Sequence, residues 1–112
     1  MASIVINGEV YIKKVSAEKG AYVIVRTYSA GVFAGYLVRR DGQEVELSDA
    51  RRLWYWEGAA SLSQLSQSGV SLPLQCKFPE PMVSAILTQA IEIIPCTNDA
   101  KKSIIGVPVW KA

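Results

Sequence analysis

The sequence predicts a mostly β domain of the α+β class, an antiparallel β-sheet of hairpins carrying two short helices. Turn signals centred on glycine recur at short intervals. The runs between them alternate apolar with polar residues or are rich in β-branched and aromatic ones, and the capped helical segments are short. With 112 residues, 50% hydrophobic and 20% charged, the chain suits one packed core, so residues 1–112 form a single domain.

Ser3–Ile6 and Glu9–Lys13 flank Asn7-Gly8, a pair that tolerates the positive backbone angles of a two-residue hairpin turn. Ala21–Thr27 and Val32–Arg39 form a second hairpin across Tyr28-Ser-Ala-Gly31. Asp41-Gly42 turns the chain into Glu44–Leu47, whose alternation puts Val45 and Leu47 on one face. Ser48-Asp49-Ala50 then separates this strand from another, Arg51–Trp56, which ends before Gly58. Ser61 caps a helix of about two turns closed by Gly69. Val70–Pro81, with three prolines, is an irregular connection. Val83–Ile94 reads as one long strand stopped by Pro95, with a buried helix as its alternative. Thr97 caps a second short helix that Gly106 closes, and Val107–Trp110 is a last short strand.

The chain contains no histidine, which removes the usual general base at neutral pH and the commonest transition-metal ligand. No CxxC pair, Walker loop or dinucleotide fingerprint is present, so neither a metal site nor a cofactor is expected, and no residue is assigned a catalytic role. Glu44 and Glu46 share a strand face where solvent exposure explains them. Cys76 sits beside Lys77 but has no histidine to take its proton, and both cysteines are expected as free thiols in a reducing compartment. The N-terminus lacks a secretory pattern and no run is long enough to span a membrane, which predicts a cytoplasmic protein with no membrane partner. A net charge of +2 does not favour a nucleic-acid polymer as ligand.

What remains points to an anionic ligand. In a strand, Arg52, Trp54 and Trp56 share one face while Arg51, Leu53 and Tyr55 share the other. Guanidinium groups grip phosphate by bidentate hydrogen bonds and flat aromatics stack on bases. The competing reading makes the tryptophans core residues and has the arginines cap a sheet edge. Arg26 just before Tyr28 and the glycine-containing loop, and Lys77 beside Phe78, also place a cation next to an aromatic residue at a mobile edge. The candidate ligand-binding residues are therefore Arg26, Tyr28, Phe33, Arg51, Arg52, Trp54, Trp56, Lys77 and Phe78.

Four segments carry a resemblance: Arg26-Thr-Tyr-Ser-Ala-Gly-Val-Phe33, Ala50-Arg-Arg-Leu-Trp-Tyr-Trp-Glu-Gly-Ala-Ala-Ser-Leu-Ser-Gln-Leu65, Cys76-Lys-Phe-Pro79 and Glu92-Ile-Ile-Pro-Cys-Thr97. Together they resemble the first-described anti-Thoeris proteins of phages, which sequester cyclic ADP-ribose isomers. That resemblance implies a non-enzymatic sponge acting in the infected bacterial host. It also implies a homo-oligomer with pockets shared between protomers, and in some relatives capture of the cyclic oligonucleotides of CBASS immunity. The alternative reading is a phage inhibitor that binds a host defence protein directly.

Overall fold

The computed structural model describes residues 5–6, 8–10 and 20–111, with side chains from residue 20 onward. Two short strands, β1 (Val5–Ile6) and β2 (Gly8–Val10), pair in parallel apart from the main sheet. They are not the arms of an antiparallel hairpin; Asn7 and most of the expected second arm lie outside the described residues. The main sheet consists of β3 (Tyr22–Thr27), β4 (Val32–Asp41), β5 (Glu44–Arg52), β6 (Met82–Leu87) and β7 (Ala90–Pro95). Each pairing is antiparallel, in the order β6-β5-β4-β3-β7.

The consecutive strands β6 and β7 thus lie at opposite edges of the sheet. Only Thr88 and Gln89 separate them, so the edges must meet, and the sheet rolls into a partly closed barrel. Leu87 pairs with Val45 of β5 and Ala90 with Thr27 of β3. The junction is clasped from both sides, Ala90 N donating to Gln43 O at 3.0 Å and Tyr28 N to Gln89 O at 2.9 Å. The single strand expected over Val83–Ile94 is therefore two strands joined by a short bend.

Inside the barrel lie Val23, Val25, Phe33, Val45, Leu47, Ala50, Leu87 and Ala90. Leu47 and Ala50 face the same interior although an odd number of positions separates them, so one residue of β5 must be absorbed by a bulge. Asp49 takes it up at φ 49°, a left-handed angle that aspartate tolerates better than most residues. Across the ladder, Gly35 makes room: a Cβ there would sit 3.0 Å from Ser48 O and 3.2 Å from Leu47 Cβ. This bulge joins what the sequence divides, and β5 runs unbroken from Glu44 to Arg52 through Ser48-Asp49-Ala50.

The outer face of β3 and β4 presents Tyr22, Ile24 and Ala34 to a helical layer that adds Leu65, Phe78 and Ile104. Helix α1 (Leu62–Ser68) starts where Ser61 Oγ accepts Gln64 N at 3.2 Å and stops at Gly69, φ 74°. Helix α2 (Asn98–Gly106) starts where Thr97 Oγ1 accepts Ala100 N at 3.1 Å. Val107–Trp110 is not a strand: its pairing reduces to a bridge between Val109 and Phe78. No described helix is long and apolar enough to cross a membrane.

Candidate ligand-binding site

A cleft of about 480 Å³ opens beside the β3–β4 loop, lined by Ser29, Ala30, Gly31, Val32, Arg52, Leu53, Trp54 and Trp56. The loop is held by the last residue of β3. Buried Thr27 donates its hydroxyl to Gly31 O at 2.7 Å and accepts Ala30 N at 2.9 Å, and Gly31 turns at φ 103°. The strand expected over Arg51–Trp56 ends at Arg52, and the alternation runs on only to Trp54: Arg51 and Leu53 are buried and Arg52 and Trp54 exposed, but Tyr55 is exposed too and Trp56 is half-buried against the core. Arg52, Trp54 and Trp56 do line one cleft.

Of the five arginines, Arg52 is the one without a hydrogen-bond acceptor among the described residues. Its guanidinium lies over the Phe33 ring, 4.7 Å from the centroid, a cation–π contact that uses none of its N–H donors. Trp54 is 60% exposed and leans on Trp110, centroids 4.9 Å apart. Lys77 Nζ then sits 5.6 Å from the Trp54 ring and 5.7 Å from those of Tyr55 and Trp110, three rings around one ammonium. Trp110 is not among the candidate ligand-binding residues read from the sequence. No local pattern links a C-terminal indole to a strand end more than fifty positions earlier.

The other candidates take different places. Arg51 is buried, and it donates to Pro79 O at 3.1 Å, Ile104 O at 2.9 Å, Ile105 O at 3.4 Å and Phe78 O at 3.2 Å. It joins the end of α2 to the proline-rich connection, and burial lowers its pKa. Phe78, with 0% exposure, and Phe33, with 1%, are core residues that cannot stack on a base. Arg26 is paired on the surface with Glu92 at 3.0 Å. Tyr28 stands exposed at the start of the loop without lining the cleft.

Both cysteines are free, and burial pushes the Cys96 thiol up to about 11. Cys76 donates weakly to Leu72 O at 3.5 Å within the core. Among the described residues, no group of three or more His, Cys, Asp or Glu could hold a metal ion. The family model for a domain of unknown function, DUF6948, matches residues 20–104. No curated protein and no solved structure matches the chain.

Proposed function

The chain belongs to the DUF6948 family, and we propose that it binds an anionic, nucleotide-like ligand without transforming it. The ligand class we infer is the cyclic nucleotide immune signals, cyclic ADP-ribose isomers first and cyclic di- or trinucleotides second, sequestered as an anti-defence function of a phage. One observation carries the reading. Arg52, a cation without an acceptor among the described residues, meets Trp54 and Trp56 at a cleft of about 480 Å³ whose loop is already tied down. That volume lies within the range of small-molecule sites, and a preformed loop lowers the ordering cost of binding. The absence of histidine from the sequence supports capture over turnover. The cleft is open, so a second protomer is needed to cover the ligand, and homo-oligomerisation belongs to this reading.

The test is incubation with cyclic ADP-ribose isomers and cyclic dinucleotides, melting analysis, then heat release. A ligand that binds the folded state raises the Tm by mass action, and it should reappear intact in the supernatant. Arg52→Ala should weaken binding by about 2–5 kcal/mol, as loss of one partner of a buried charge pair does. Chemical conversion of the ligand, or no Tm response to any cyclic nucleotide, overturns the proposal. A second reading, direct inhibition of a host defence protein, is favoured by the apolar edge strand β6. There Val83 is 87% and Ile86 55% exposed, beside partly exposed Met82. Nucleotide silence together with protection of β6 by a protein partner would select it.

A further inference from the structure

We propose that a second cleft, on the outer face of the sheet, binds a small uncharged planar ring that carries a hydrogen-bond acceptor beside a donor, as a lactam or nucleobase edge does. The cleft, about 360 Å³, is lined by Tyr22, Tyr36, Asp49, Arg51, Pro81 and Ile105. It lies where the sheet, the end of α2 and the proline-rich connection converge, and it shares no lining residue with the Arg52 cleft.

Tyr22 is the starting point. It is 6% exposed, yet among the described residues its hydroxyl has no hydrogen-bond partner; its ring meets Tyr36 edge-on, centroids 5.1 Å apart. Buried hydroxyls in folded proteins are nearly always satisfied, so an unpartnered one lining a cleft calls for an acceptor from outside. Burial raises its pKa, which keeps it a neutral phenol and hence a donor.

The charges select the rest of the ligand. Arg51 already donates to four backbone carbonyls, and the Asp49 carboxylate lines the same cleft, so an anion entering it would meet a like charge and an arginine whose donors are engaged. A carboxylate accepts several hydrogen bonds, so Asp49 can take one from a ligand N–H whatever else it contacts. Its φ of 49° belongs to the β5 bulge, a device found beside binding sites because it re-aims a side chain. An acceptor for Tyr22, a donor for Asp49 and a flat body against Pro81 and Ile105 together describe a lactam ring.

The experiment is backbone amide chemical-shift mapping on the full chain with uracil, cytosine and hypoxanthine, and with 1,3-dimethyluracil, which keeps the ring and lacks the N–H donor. The rings with donors should shift the amides of Tyr22, Asp49 and Ile105, and dimethyluracil should not. Tyr22→Phe should weaken uracil about tenfold, the worth of one neutral hydrogen bond, with a Tm equal to or above that of the parent, because it removes an unsatisfied hydroxyl. Ile105→Trp, at a position 51% exposed, should fill the cleft and block binding without disturbing the core. The inference is overturned if no ring shifts these amides or if Tyr22→Phe binds uracil as tightly as the parent. It is equally overturned if dimethyluracil binds as well as uracil, or if the shifts fall at Gly31 and Trp54 instead.

Discussion

Adjacent arginines should respond to alanine in opposite ways, and the size of the difference follows from their bonds. Arg51→Ala strips a donor from Ile104 O and Phe78 O, its two buried acceptors. Each of these carbonyls keeps a second donor, Val107 N at 3.3 Å and Trp110 N at 3.0 Å, so the loss falls at the low end. That is about 1 kcal/mol per bond. The guanidinium also lies 5.5 Å from the Phe78 centroid, a desolvated cation–π contact worth about 1 kcal/mol more. The sum, about 3 kcal/mol, lowers the Tm of a domain this size by about 12 °C, at about 4 °C per kcal/mol. Arg52→Ala loses only the exposed stacking on Phe33, about 0.5–1 kcal/mol, and should melt within about 4 °C of the parent. Thermal unfolding followed by circular dichroism measures both. If Arg51→Ala melts within 4 °C of the parent, or Arg52→Ala melts lower than Arg51→Ala, the division into a structural and a ligand-facing arginine is wrong.

Gly35→Ala drives a methyl group to 3.0 Å from Ser48 O across the bulge and should cost about 1–3 kcal/mol in urea unfolding. Phe78→Ala empties a fully buried site and should cost about 3–5 kcal/mol, whereas Lys77→Ala next to it, which loses a surface ammonium, should change the unfolding midpoint far less. Cys96 gives a pH dependence whose sign is set by its raised pKa. The unfolded thiol ionises near its ordinary 9.0 and the folded one near about 11, so the unfolded chain loses its proton first and stability falls as pH rises between those values. Cys96→Ala should flatten the decline in Tm over that interval, and an unchanged slope would contradict the burial of the thiol.

The elements that could be read from the sequence are those whose causes are local. Ser61 and Thr97 cap helices because a side-chain oxygen three residues back reaches an amide that has no other acceptor, and Gly42 turns the β4–β5 hairpin at φ 60°. The opposite burial of Arg51 and Arg52 was legible for the same reason, since strand alternation needs only neighbouring residues, whereas Trp54 and Trp56 reach the cleft from beyond the end of the strand. Which side of the sheet each face meets was not legible. The bulge at Asp49 shifts the parity of β5, and that shift sends Arg51 into the helical layer and Arg52 to the barrel rim over Phe33.

Phe33 and Phe78 illustrate the same limit, because aromatic residues beside cations look alike whether they stack on a ligand or fill a core. Burial separates the two cases, and burial is a property of the whole packed molecule. The halves of the Met82–Pro95 ribbon pair with opposite edges because the barrel must close, and the Trp54–Trp110 contact joins residues with no sequence relation. Hydrogen bonds and side-chain parity act over a few residues and are written into the chain. Sheet closure, bulge position and the assignment of a cation to carbonyls or to solvent depend on contacts between distant segments, which exist only once the chain has folded.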